Sequence, residues 1–227
     1  MIISHKYKFI FIKTEKTAGT SVEIAFSKYL DRRDIITPLT LDDERIRIEK
    51  GYRGAQNYVI PLRHYLPADW KNLFLRQKRL SYFNHASADF VRRHIEADIW
   101  NSYFKFCFER NPWDKVVSYY YWLHQKEPRP SISEFIQSGS AKRVRGIGLY
   151  TSGNQILVDK IYMFENLHND MEEIASTVGL PEVPELPRAK ATQRCDNRSY
   201  RQILNEFHRE QISHAFAREI AYLGYQW

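Results

Sequence analysis

The chain has 227 residues, which fits one domain or one domain with a long insertion, and its 43% hydrophobic content is ample for a packed core. Its formal net charge of +7 suits an anionic ligand such as a nucleotide, an acidic polysaccharide or a nucleic acid. No apolar run reaches the roughly 18 residues of a membrane span, and its 2 cysteines are too few for a disulfide framework.

In chain order, the first stretch, MIISHKYKFIFIK, has a short, charge-interrupted apolar run and no small-residue cleavage site, so it does not read as a signal peptide. Phe9 to Ile12 reads as a buried strand. After it come Lys16, Thr17, Ala18, Gly19, Thr20 and Ser21, and then a helical pattern with Val22, Ala25, Phe26 and Tyr29 on one side. A small-residue loop with one lysine, set between a buried strand and a helix N-terminus, is a cradle for phosphate, because free N–H groups and the helix dipole both favour an anion. The pattern is equally that of an ordinary strand-turn-helix. It is not a Walker A loop, since the lysine precedes the only glycine, and no complete dinucleotide fingerprint follows Gly146 and Gly148.

Residues 32–79 are charged and weakly patterned, with a helix expected over Leu41 to Lys50; this is the candidate substrate-facing insertion. A short strand is expected over Leu80 to Phe83, a helix over Ser87 to Ala97, and a second strong strand over Tyr103 to Phe108. Trp113 to Gln125 reads as a helix entered through Pro112, and Ser131 with Glu134 forms a capping box for another. A strand follows at Lys160 to Phe164, then a helix from Asn166 to Val178 closed by Gly179. The C-terminal helix buries Ile212, Ala215, Phe216, Ile220 and Leu223 and stops at Gly224. Alternating strands and helices predict an α/β fold with a central, mostly parallel sheet flanked by helices. Ligands of such sheets sit beyond the carboxyl ends of the strands, where Lys16 and Arg110 both fall.

Arg110 directly follows a buried strand, and Ser118 lies about two turns on along the next helix. A guanidinium fork and a hydroxyl so placed could both meet an anion. Taken alone, Arg110 reads at least as well as a helix-end ion pair, and Ser118 as a surface serine. Tyr119 to Trp122 read as core and cleft packing, though one ring could stack on a sugar.

Together the two motifs, KTAGTS after the first strand and RNPWDKxxSxY about a hundred residues later, resemble those of the PAPS-dependent sulfotransferases, where PAPS is 3′-phosphoadenosine 5′-phosphosulfate. The likeness is to the carbohydrate branch that includes heparan sulfate 2-O-sulfotransferase and bacterial relatives. It extends through Asn84-His85-Ala86-Ser87-Ala88, Phe164-Glu165-Asn166-Leu167 and Gly224-Tyr225, so it spans nearly the whole chain. The resemblance implies a single P-loop-like sulfotransferase domain over residues 1–227. The loop Lys16 to Ser21 would bind the 5′-phosphosulfate, Arg110 and Ser118 the 3′-phosphate, and Lys190, in the basic stretch Arg188 to Thr192, a closing loop. Glu15, Lys115 and Met163 depart from the relatives' usual proline, arginine and arginine.

Lys16 would then stabilise the leaving phosphate. His85 is the candidate general base, since an ordinary imidazole near pKa 6.5 suits proton abstraction at neutral pH. It reads also as a cap for the following helix. His64 and His124 are weaker alternatives, each expected to face solvent, and Glu165 is expected to hold backbone or arginine groups near the nucleotide. The acceptor is expected to be a carbohydrate hydroxyl, with a small polar metabolite as the alternative substrate. A non-catalytic nucleotide or polyanion binder is a further alternative, and a metal-dependent phosphotransferase would need the Walker loop that is missing. No metal, nucleic-acid or membrane partner is expected, PAP is the expected product, and the setting is expected to be cytoplasmic in a bacterium.

Overall fold

The computed structural model describes residues 1–187, 196 and 198–227. Lys190 and the basic stretch Arg188 to Thr192 therefore lie outside the described residues. The strands are β1 (Ile2–Ser4), β2 (Phe9–Phe11), β3 (Ile35–Ile36), β4 (Phe104–Glu109), β5 (Thr151–Ser152), β6 (Gln155–Ile156) and β7 (Lys160–Met163). The helices are α1 (Gly19–Ser27), α2 (Leu41–Glu49), α3 (Pro67–Arg76), α4 (Ala88–Arg93), α5 (Ala97–Ser102), α6 (Pro112–Leu123), α7 (Ile132–Gln137), α8 (Leu167–Val178), α9 (Tyr200–Ile203), α10 (Glu206–Ala215) and α11 (Ala217–Leu223).

The central sheet has five strands in the order β3-β1-β2-β4-β7. β2, β4 and β7 pair in parallel, while β1 is antiparallel to both β2 and β3. Only β1 therefore runs against the other four, and the chain is a mixed α/β protein with a mostly parallel sheet flanked by helices. β5 and β6 form a separate hairpin.

Both faces of this sheet are covered, which is why its strands are mostly apolar rather than strictly alternating with polar residues. The pleat still sorts them. Phe9, Phe11, Phe106 and Phe108 enter one core with Val22 and Phe26 of α1 and Met171 and Ile174 of α8. Ile10, Ile12 and Cys107 enter the other, with Val91 of α4 and Trp100 of α5. Phe106 is the hub of the first core, stacked on Phe11 at 5.3 Å between ring centroids and tilted against Phe9 at 5.7 Å. A third core gathers α6, α7 and α10 around Trp113, Phe135 and Ile212.

Several expected elements differ in the structure. The strand expected at Leu80 to Phe83 is a single bridge between Val59 and Ser81, flanked by hydrogen bonds from Ile60 N to Leu80 O and Tyr82 N to Tyr58 O. Pro61, which has no N–H to give, stops the pairing there. The helix expected over Ser87 to Ala97 ends at Arg93 and restarts at Ala97, and the C-terminal helix is broken at Phe216. Residues 32–79 are better ordered than their patterning suggests: they supply β3, α2 and α3. The α2 helix is inverted, burying Asp43 and Arg47 and exposing Leu41 and Ile48, so apolar periodicity could not have set its inner face. No helix among the described residues is long and apolar enough to cross a membrane.

Because Phe106 joins β2, β4 and α1, Phe106→Ala is expected to lower unfolding stability by about 3–5 kcal/mol, read from the urea midpoint at unchanged m-value.

Candidate active site

The parallel register fixes where the site lies. Phe11 sits opposite Phe106, and Glu109 opposite Met163, so the carboxyl ends of β2, β4 and β7 open on one edge of the sheet. Three loops leave that edge: 12–18, 110–111 and 164–166.

The first loop is pinned from below. Ile12 N donates to Phe106 O at 2.9 Å, the Thr14 hydroxyl donates to Phe108 O, and the Thr14 and Thr17 hydroxyls meet at 2.9 Å. Lys16 and Ala18 take left-handed backbone conformations, φ 63° and 57°, which turn the chain sharply into α1. The α1 helix starts with no side-chain cap and no acid in its first turn. Its N-terminal N–H groups and dipole are thus offered to an anion rather than to the protein's own carboxylates. Gly19 is required by packing: a Cβ there would lie 2.7 Å from Cγ of Lys13.

Lys13, missed in the sequence reading, turns inward. Its ammonium lies 2.5 Å from Oε2 of buried Glu23 and 2.8 Å from Oδ1 of Asn84. The signal was an acid, Glu23, on the otherwise apolar face of α1. This network brings the 84–85 segment to the loop. There the His85 ring is held 2.9 Å from the Lys13 carbonyl by Nδ1. A carbonyl only accepts, so Nδ1 carries the proton and Nε2 keeps its lone pair. Burial, and then the Lys13 charge, lower the His85 pKa to about 4, well under the ordinary value expected from sequence. The imidazole is therefore neutral at pH 7.

Glu15 is also explained. Its carboxylate takes hydrogen bonds from Nε and the backbone N of Arg145, each 2.8 Å, and its own N–H donates to Arg145 O at 3.2 Å. This clasp joins the loop to a cleft of about 530 Å³ between residues 142–149 and 214–219. Lys142, Arg145, His214 and Arg218 lie along it, with Phe216 and Leu149 buried beneath. Gly146 in its wall admits no side chain, because a Cβ would collide with the Lys115 ammonium and lie 2.6 Å from Glu109 Oε2. Lys115 and Glu109 form a buried ion pair at 2.6 Å. Lys115 thus belongs to the support beneath the cleft wall.

Arg110 ties the second loop to the first. Its Nη1 donates to the Lys16 carbonyl at 3.0 Å, while Nε and Nη2 both reach Oδ2 of Asp114, at 2.9 and 2.7 Å. Three of its five donors are so used. Its guanidinium stacks on Phe164, 4.1 Å from the ring centroid. Glu165 Oε1 accepts from Asn111 N at 2.7 Å, the backbone-holding role expected of it. Asn111 in turn caps α6 through Trp113 N and Asp114 N. Ser118, on α6, is half-buried, and its hydroxyl makes no hydrogen bond among the described residues. The Lys16 ammonium lies 5.3 Å from the ring of Trp122, which is stacked on Tyr119.

The structure thus bonds Arg110 to the Lys16 carbonyl and His85 to the Lys13 carbonyl of the same loop, and places Ser118 on the helix that Asn111 starts. His64 and His124 do not face solvent as expected. His64 is held 3.0 Å from Glu96, and His124 packs between Tyr120 and Phe135. No group of three or more metal-ligating side chains occurs among the described residues.

Fold and site together define an α/β protein with an open helix N-terminus and a neutral histidine at one sheet edge. No family model matches the sequence, and no solved structure matches it. A protein of Archaeoglobus fulgidus bearing the name "Uncharacterized protein" is 36% identical over 119 residues, covering 50% of this chain and 96% of the relative. The chain belongs to the same family as that archaeal protein.

The lowered His85 pKa has a sign for stability. Above pH 6.5 the ring is neutral folded and unfolded, whereas between about 6.5 and 4 only the unfolded chain binds the proton, so stability falls as pH falls through that window. His208, also lowered by burial, adds a contribution of the same sign. Urea midpoints measured across this window should decline less steeply in His85→Gln than in the parent chain, the His208 part remaining.

Proposed function

We propose that this chain is a PAPS-dependent sulfotransferase of the P-loop-like fold, acting on an acceptor hydroxyl. The observation that carries the reading is the Arg110 guanidinium bonded to the Lys16 carbonyl, which makes one anion-facing surface of the two motifs that resemble the donor-binding pair. The fit of the donor rests on α1, whose uncapped, acid-free first turn suits a phosphate, and on Gly19, where any side chain would strike Lys13.

When bound, PAPS supplies the sulfuryl group and leaves as adenosine 3′,5′-bisphosphate. Backbone N–H groups of Thr17, Ala18, Gly19, Thr20 and Ser21 hold the 5′-phosphate end, and the Lys16 ammonium offsets charge growing on the leaving oxygen. Arg110, with the two donors Asp114 and Lys16 leave open, and the Ser118 hydroxyl hold the 3′-phosphate. Lys190 remains assigned to the closing loop by the resemblance alone. His85 Nε2 accepts the proton of the acceptor hydroxyl. Its Nδ1–H bond to the Lys13 carbonyl fixes ring and tautomer, and that bond strengthens as the ring gains charge. The Lys13 ammonium works against that gain and keeps the ring unprotonated between turnovers. The cleft along 142–149 receives the acceptor, a carbohydrate in the reading favoured here.

Binding of adenosine 3′,5′-bisphosphate by calorimetry, and transfer from labelled PAPS to a panel of glycans and polar metabolites, test the reading. Lys16→Ala is expected to lower kcat by about 10²–10³, and His85→Ala by about 10²–10⁴. Transfer should survive EDTA, unlike that of a metal-dependent phosphotransferase. A well-folded sample with no affinity for the bisphosphate sinks the proposal; full turnover by either variant removes that residue from it.

A further inference from the structure

The excursion between Val59 and Ser81 carries a surface that the reaction does not use. Of the thirteen large apolar side chains that stand exposed among the described residues, six lie between Val59 and Phe83. On α3, Trp70, Phe74 and Leu75 are 36%, 76% and 72% exposed. The helix starts at Pro67, and the Asp69 carboxylate accepts from Leu66 N at 2.9 Å to fix its first turn, yet it buries none of its residues. Its apolar strip grows out of the core: buried Tyr65 meets Trp70 at 5.5 Å, and Trp70 stacks on Phe74 at 6.2 Å.

Cations flank this strip along the chain. Lys71, Arg76, Lys78 and Arg79 are all exposed. The only acid between residues 62 and 79 is Asp69, whose carboxylate is engaged by Leu66 N and by His94 Nε2, each at 2.9 Å. Arg63 is paired with Glu96 and is not part of the ring. A raised helix with an aromatic-aliphatic crest and a collar of lysine and arginine matches the chemistry of a bilayer surface. Tryptophan prefers the headgroup level, apolar side chains enter the acyl boundary, and the collar meets anionic headgroups.

We infer that α3 docks the protein on an anionic lipid surface. Such a contact needs no spanning helix, and it departs from the membrane-free partner expected from the sequence. A second copy of the chain fits poorly, since a twofold contact would set the four cations against their own equivalents. A sulfated polysaccharide fits the charge but not the shape: α3 stands out where saccharide sites are concave, and Leu75 offers a hydroxyl-rich chain no hydrogen bond.

The test is co-sedimentation of the full chain with vesicles of phosphatidylcholine alone or mixed with phosphatidylglycerol. The parent protein is expected to pellet with the mixed vesicles only and to be released by salt. Phe74→Ser with Leu75→Ser, and separately Lys78→Glu with Arg79→Glu, should each weaken vesicle binding about tenfold or more. All four side chains are exposed, and unchanged melting temperatures would show both variants folded. Absence of vesicle binding by the parent protein, or parent-like binding by both variants, overturns the inference. So does a serine variant that binds vesicles normally while the charge variant loses vesicles and a soluble sulfated polysaccharide alike. A concentration-dependent dimer in light scattering, abolished by the serine pair, would instead make α3 a self-contact and equally overturn it.

Discussion

The parallel pairing of β2 with β4 is the constraint on which the rest hangs. It sets two loops side by side at one edge, and the bonds that then form across the seam, Thr14 to Phe108 O and Arg110 to Lys16 O, join a hydroxyl and a guanidinium to backbone oxygens. The Phe108 acceptor lies on the hydrogen-bonded sheet and the Arg110 donor follows directly on β4, so the loop is anchored to the sheet rather than held by its own side chains alone. This is why α1 can begin without a cap and still be well placed. The N–H groups that would make a poor helix start elsewhere are here the surface proposed to hold the donor.

Beneath the site lie buried ion pairs in place of hydrocarbon. Lys13 with Glu23, and Lys115 with Glu109, are almost fully enclosed. Such pairs contribute little net stability against an apolar alternative, but losing one partner strands the other charge. One pair lies in the loop beside His85, and the other backs Gly146 at the cleft wall. Arg47 is less well served, its Nη1 on Glu44 while Nε and Nη2 have no partner among the described residues.

Much of this was readable from the chain, and the failures share a cause. β2, β4, α1, α6 and α8 are long or strongly apolar, and their patterns matched the structure to within a few residues. β1 and β3 span three and two residues, too short to show a period. The supposed strand before His85 looked like one because Leu80 to Phe83 is mostly apolar, yet its partner is an extended segment ended by proline. The placement of residues carried by local motifs, Lys16 to Ser21 after β2 and Arg110 after β4, was legible. Residues whose meaning depends on tertiary neighbours, Lys13 with Asn84 and Glu15 with Arg145, were not, because seventy or more positions separate each pair. The lowered His85 pKa was likewise hidden, since burial and the Lys13 charge come from the fold.

The neck at Val59 and Ser81 has one more implication. Both ends of the excursion meet there, held by the two backbone hydrogen bonds of one bridge, and the chain between them is tied back to the domain by Tyr65 in the core, Asp69 on His94 and His64 on Glu96. Closing a longer loop at a fixed neck adds little entropy cost, about 0.6 kcal/mol per doubling. Changes of length at the exposed end of α3, residues 76–79, would leave those anchors and the sheet edge as they are, so the surface there can diversify while the fold stays constant.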